Sequence, residues 1–219
     1  TVGNAPSITT QPTDLTACEG VNADFTVAAS GSGLSYQWQV STDGGTTYTD
    51  IAGATSATYS VPATTAISGN RYRVIVTSSS CATPSTSNAA ILTVNALPTI
   101  TTQPTSATLC AGSDVTFTAA ATGTNIAYQW QVSTDGGTTF SNIAGATSAA
   151  YSITGVAAAL NAYQYHVVVS GTCSPAATSN AATLNVVSPA TVTTQPANTA
   201  VCDGGNASFT VAASSATIY

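Results

Sequence analysis

The chain has 219 residues, of which 43% are hydrophobic and only 5% charged, against about 25% charged in an average soluble domain. Two basic residues, Arg71 and Arg73, stand against eight acidic ones for a net charge of −6, which excludes electrostatic binding to nucleic acid and a polybasic membrane patch. No apolar run approaches the roughly 18–20 residues of a membrane-spanning helix, and serine and threonine, roughly a third of the chain, solvate the surface in place of charges.

Thr, Val, Tyr and Ile are plentiful, Gly and Pro punctuate them, and helix formers are scarce, which favours strands. In chain order, Ile8–Thr10 and Leu15–Cys18 read as a first strand split around Pro12. Asp24–Ser30 alternates, with Phe25, Val27 and Ala29 on one face. Ser35–Ser41 carries Tyr36, Trp38 and Val40 on one face. Thr42–Thr46 (TDGGT) is a hairpin turn in which Asp43, Gly44 and Gly45 supply the turn chemistry, because Asp-Gly and Gly-Gly accept positive φ. Tyr48–Ile51 and Thr58–Val61 follow as short strands. Arg71–Thr77 places Tyr72, Val74 and Val76 on one face, and Ala89–Val94 closes the set.

The set then recurs. Cys18, Cys110 and Cys202 are spaced by 92 residues, as are Trp38 and Trp130, and Cys81 and Cys173. YQWQVSTDGGTT at Tyr36 returns unchanged at Tyr128, so Asp135, Gly136 and Gly137 form the second turn. The expected domains are residues 1–96, 97–188 and the beginning of a third, 189–219, which stops at Tyr219, the counterpart of Tyr36. The chain begins at Thr1 without a signal-like segment, so it is expected to be a window of a longer array. Short Pro-containing joints near 95–98 and 187–190 restrict bending between neighbours.

A period of about 92 residues around one core Trp resembles the immunoglobulin-like sandwich. GVNADFTVAA resembles its second strand, and Trp38 and Trp130 the third-strand core Trp. GNRYRV and NAYQYHV resemble the tyrosine corner, with Tyr72 and Tyr165 as corner residues, and SNAAILTV and SNAATLNV the last strand. The expected fold is all-β, tandem immunoglobulin-like β-sandwiches arranged as a linear rod. The usual core disulfide is missing: Val74 and Val167 occupy the sixth-strand position, and Ala28 and Ala120 are the expected second-strand partners.

The cysteines lie elsewhere. In such a sandwich the second and sixth strands run in the same direction, so Cys18 and Cys81 fall at opposite poles, more than about 20 Å apart along a strand of about 7 residues. A disulfide needs Cα atoms about 4.4–6.8 Å apart. The expected bond is Cys18–Cys173, between repeats, with Cys81, Cys110 and Cys202 taking partners outside the chain given. Bridges within each repeat (Cys18–Cys81 and Cys110–Cys173) and free thiols remain the alternatives. Either bridge implies an oxidising, extracellular compartment.

Catalytic chemistry is poorly represented. His166 is the chain's one histidine, and its counterpart is Arg73 on an outward face. No nucleophilic set repeats at the 92-residue period, and Asp24 and Glu19 are replaced by Thr116 and Ala111. No enzyme, cofactor or metal site is expected; calcium needs clustered oxygen ligands, whereas Asp43 and Asp135 stand alone. STDGGTTY and STDGGTTF match the Asp-box pattern, which here reads as a turn. Tyr48 and Phe140 are the candidate aromatics for a glycan, with rim packing as the plainer reading, and Asn206-Ala207-Ser208 is an isolated glycosylation sequon.

The runs YQWQVSTDGGTT and TSNAA also resemble the tandem repeats of large bacterial surface proteins, most like those of Bacteroidota. That resemblance implies an exported structural or adhesive protein at the cell surface, with further repeats or identical chains as partners. The alternative is a carbohydrate-binding accessory array attached to a secreted enzyme.

Overall fold

A computed structural model describes residues 4–79, 81–188 and 190–214. It is all-β; the helix among the described residues is confined to two 3-10 turns, Thr65–Ile67 and Ala158–Leu160. The chain forms two compact units. The first holds Thr1–Thr99 with Thr122–Ile126 and Ser170–Ala176, and the second holds Ile100–Ala121, Ala127–Val169 and Ala177–Tyr219.

The first repeat contains β1 (Ser7–Thr10), β2 (Leu15–Cys18), β3 (Asn22–Thr26), β4 (Ala28–Ser30), β5 (Leu34–Ser41), β6 (Thr49–Asp50), β7 (Thr58–Pro62), β8 (Arg71–Ser78), β9 (Cys81–Thr86) and β10 (Ala90–Asn95). One sheet runs β2-β10-β8-β5-β6, with β9 also on β8; β1-β4 and β3-β7 form the other layer. Pro12 divides the first strand: β1 pairs with β4, whereas β2 pairs in parallel with β10, Leu15 opposite Leu92 and Cys18 opposite Asn95. The proline offers no donor to either ladder, so the edge strand changes sheets there. Gln11, beside it, then accepts a bond from Asn88 N at 2.8 Å. Ser87 fills the break between β9 and β10 by accepting from Val74 N at 2.9 Å and donating to Asn88 O at 2.7 Å.

Alternation along these strands builds the core. Trp38, Val74, Val76 and Leu92 are fully buried, with Phe25 and Tyr72 nearly so. Phe25 stacks on Tyr72 with centroids 4.7 Å apart. Trp38 Nε1 donates to Ser56 O at 2.9 Å, so the largest side chain is buried without an orphaned donor.

Two expectations are corrected. The second strand is not continuous: it breaks at Val27, whose N–H donates to Ala57 O, because β3 pairs with β7 and β4 with β1. Ala28 and Ala120 face outward, whereas Phe25, Val27, Phe117 and Ala119 face the core. The side-chain period of a strand is two, so a displacement of one residue exchanges the faces. A further strand, β9, was not foreseen; its Pro84 and Ser/Thr run reads as a loop.

The second repeat contains β11 (Thr99–Thr102), β12 (Ala107–Cys110), β13 (Val115–Thr118), β14 (Ala120–Thr122), β15 (Ala127–Ser133), β16 (Ser141–Asn142), β17 (Ala150–Ile153), β18 (Tyr163–Ser170), β19 (Ala177–Thr178) and β20 (Ala182–Val187). The strand order is the same as in the first repeat, with one difference in ladder detail at β19. Trp130, Val167, Val169 and Leu184 are fully buried, Phe117 stacks on Tyr165 at 4.9 Å, and Trp130 Nε1 donates to Ser148 O at 2.9 Å.

After it, β21 (Val192–Thr194) pairs with β22 (Ala212–Ala213), Val192 opposite Ala213. This is the pairing of Ile8 with Ala29, advanced by two periods. Phe209 is 65% exposed here, whereas its counterpart Phe25 is 1% exposed. Tyr219 lies outside the described residues. No helix is long and apolar enough to cross a membrane among the described residues.

Candidate functional site

The first unit contains a covalent joint built from both repeats. The parallel β2-β10 ladder brings Cys18 beside Asn95, and Glu19 N donates to Asn95 O at 2.9 Å. Cys173, 2% exposed, lies in the loop after β18. Cys18 and Cys173 form a disulfide with Cα atoms 5.7 Å apart. Cys173 Sγ is also 3.6 Å from Asn95 O.

Polar contacts surround the bond. Thr124 N donates to Ala96 O at 3.2 Å, and Ala96 N donates to Thr124 Oγ1 at 2.9 Å. Thr172 N donates to Thr124 O at 2.9 Å, and Asn125 Nδ2 donates to Thr172 Oγ1 at 3.1 Å. Gly123 is at φ +145°, and a Cβ there would lie 3.0 Å from Pro98 Cα. A side chain at Gly171 would lie 3.0 Å from both Pro98 Cγ and Thr124 O. The linker is thus clasped by backbone bonds and close glycine contacts as well as by sulfur. No sequence motif marked Thr124, Asn125, Gly171 or Thr172 as joint residues: Gly171 acts by lacking a side chain, and the others combine backbone bonds with short polar side-chain bonds to partners distant in sequence.

The remaining cysteines divide. Cys110 occupies the Cys18 position, opposite Val187 on β20, and Ala111 N donates to Val187 O at 3.0 Å as Glu19 does to Asn95. Cys110 and Cys202 are exposed free thiols. Cys81 begins β9 opposite Ser78, and its side chain lies outside the described residues.

The two DGG turns are self-sufficient. Gly44 and Gly45 take φ +77° and +99°, and Gly136 and Gly137 +73° and +91°. Asp43 accepts from Thr46 N, Thr47 N, Thr47 Oγ1 and Ser41 Oγ, the shortest at 2.6 Å. These donors, the Thr47 hydroxyl first, hold its carboxyl well below the usual carboxylate range. Asp135 is held in the same way, by Thr139 first and Ser133 and Thr138 after it. A carboxylate so occupied is committed to the turn.

The outer face of each main sheet carries a ladder. Arg73 lies over the Tyr48 ring at 3.8 Å, its Nε donates to Gln39 Oε1 at 2.8 Å, and Gln39 Nε2 donates to Asp50 Oδ1 at 2.7 Å. In the second repeat His166 stacks on Phe140 at 3.8 Å and bonds Gln131 Oε1 through Nε2 at 2.6 Å, and Gln131 Nε2 donates to Asn142 Oδ1 at 2.7 Å. Tyr48 and Phe140 are half-buried beneath these partners. Burial lowers the His166 pKa. His166 is therefore held by packing and a side-chain amide. No group of three or more His, Cys, Asp or Glu that could hold a metal occurs among the described residues.

The model of a domain of unknown function, DUF8696, matches residues 7–96 and again 99–188. Endoglucanase C of Cellulomonas fimi is 39% identical over 140 residues, which is 62% of this chain and 12% of that protein. The chain therefore spans only a small part of that relative. Among solved structures, the I-band fragment I67-I69 from titin aligns over 88% of this chain and 69% of its own, with TM-score 0.60 and 14% identity. The immunoglobulin domains 1-4 of Sidekick-1 align over 85% and 50%, with TM-score 0.57 and 16% identity. These likenesses show an immunoglobulin-like fold.

Proposed function

The chain belongs to that DUF8696 family, carrying its domain twice, and from this we propose that it is a non-catalytic structural or adhesive segment of a long exported protein, displayed outside the cell, whose tandem repeats are joined covalently. The observation that carries the reading is the Cys18–Cys173 disulfide, which spans 155 residues of sequence. It crosses the point at which one repeat passes to the next. A bond there transmits tension between repeats without relying on a linker alone, and it belongs to an oxidising compartment. Cys110, on the same ladder position as Cys18, offers a second attachment of the same kind to a further repeat.

The test is single-molecule extension of the intact chain with and without reductant. The expected result is that each event in the oxidised chain releases less contour length than in the reduced chain, because the segment between Cys18 and Cys173 cannot extend. Equal contour lengths in the two states defeat the proposal.

A second reading is favoured by the endoglucanase relative: the repeats are accessory modules beside a catalytic domain of a secreted carbohydrate-active enzyme. Binding of the intact chain to cellulose or a soluble glucan, weakened by Tyr48→Ala and Phe140→Ala, supports it. Absence of binding across a broad glycan panel removes it.

A further inference from the structure

We propose that the free edge of β7, and the matching edge of β17, is a self-association site at which a second copy of this chain adds by antiparallel strand pairing. The inference is independent of whether the repeats form a stalk or accompany an enzyme.

The ladder shows which groups are free. β7 pairs only with β3 among the described residues, with Asn22 opposite Pro62 through Thr26 opposite Thr58. In the same register, Ala63 N donates to Val21 O and Val27 N donates to Ala57 O. Hydrogen-bonded pairs alternate along an antiparallel ladder, so the odd-numbered positions of β7 bond inward to β3. The N–H and C=O groups of Thr58 and Ser60 point to the open side. Pro62, which has no N–H, occupies the same outward parity, where a strand tolerates proline. In the second repeat Ala119 N donates to Ala149 O in register with β13-β17, which turns Ala150 and Ser152 outward. No bond to these four outward backbone positions occurs among the described residues.

Space and chemistry agree. A shallow cavity of about 280 Å³ borders β7, lined by Gly53, Thr55, Ser56, Thr58 and Ser60. One of about 210 Å³ borders β17 at the corresponding residues, Gly145, Thr147, Ser148, Ala150 and Ser152. Tyr59 and Tyr151 are the large residues of the two linings, and each is half-buried against the core; the outward positions carry small side chains, and strands pair at a spacing of about 4.7–4.9 Å. Neither β7 nor β17 carries a charged residue, and charges are the common means of refusing an edge partner.

The edge is complementary to itself. With two copies related by a two-fold axis, Thr58 faces Ser60 of the second copy and Ser60 faces its Thr58, each pair exchanging two backbone bonds. Uncharged hydroxyl side chains then lie opposite one another without repulsion. Pro62 ends the ladder in the first repeat, whereas Thr154 leaves it open in the second.

The test is sedimentation equilibrium of the full chain, its free thiols alkylated, with amide chemical shifts followed over the same concentration range. The expected result is weak reversible self-association, with shifts confined to Thr58, Ser60, Ala150, Ser152 and the bordering loops. Ser60→Pro with Ser152→Pro removes two outward donors that the native ladder does not use, and is expected to weaken association by at least about tenfold. Thr58→Lys with Ala150→Lys, both at exposed positions, is expected to do the same should the proline pair disturb folding. A chain that stays monomeric, association that moves other amides, or association that survives a folded variant overturns the proposal.

Discussion

The two repeats have the same core and reach it with different tolerances. Gly69 in the first takes φ +91° and donates to Leu92 O at 2.7 Å. In the second, Ala162 takes φ +68° and donates to Leu184 O at 2.8 Å. The hydrogen bond to the last strand thus holds an alanine in a region that costs an L-residue about 1–2 kcal/mol. At another turn, Gly33 at φ +63° corresponds to Asn125 at φ +52°, and Asn tolerates the left-handed region. On the outer face Arg73 corresponds to His166, each stacked on an aromatic and bonded to a Gln. Cys18 is bonded, whereas Cys110 in the same ladder position is free. The core and ladder are therefore the shared framework, and the turns and outer face vary without altering it.

The comparison breaks most sharply at the tryptophans. Trp130→Ala removes a fully buried side chain and is expected to cost about 3–5 kcal/mol. Trp38→Ala has the same local cost, but the first unit keeps its disulfide; urea unfolding of the two variants should show the second unit lost at lower denaturant. Next comes the bond itself. Cys18→Ser with Cys173→Ser is expected to destabilise the first unit by about 2–4 kcal/mol and to leave the transition of the second unit in place by calorimetry.

Smaller effects sharpen it. Ala162→Gly is expected to stabilise the second unit by about 1 kcal/mol, and Gly69→Ala to destabilise the first by a similar amount. Nothing within 4 Å of a Cβ at Gly69 adds to the cost, so thermal shifts of opposite sign measure the backbone term alone.

The smallest effect is in pH. Burial lowers the folded pKa of His166 below the ordinary 6.5, so the unfolded state binds the proton more readily. Stability is full above that value and falls as pH drops from it toward the folded pKa. The first unit, with Arg73, lacks this loss, and His166→Arg is expected to abolish it in the second. Both units then weaken together as pH falls below the ordinary carboxylate range, because Asp43 and Asp135 must be protonated out of their turns.

Much of the fold was legible because its signals are local. The 92-residue period, the alternation about Trp38 and Trp130, and the DGG turns each depend on neighbours in the chain. The interrupted second strand was not legible, because its break at Val27 reflects a change of pairing partner across space. The outward placement of Ala28 and Ala120 was missed by one residue, an error that the period of two converts to the opposite face.

The sequence alone determined the all-β repeat, the residues of the core and the positions of the cysteines along the strands. Tertiary structure decided which of these meet. Gln11 and Asn88 lie 77 residues apart, and the strand switch at Pro12 brings them within 2.8 Å. Cys18 and Cys173 meet because β2 runs parallel to β10 and the linker is clasped by Thr124 and Thr172. Periodicity states which face a residue takes; only the register of strands distant in sequence sets what that face touches.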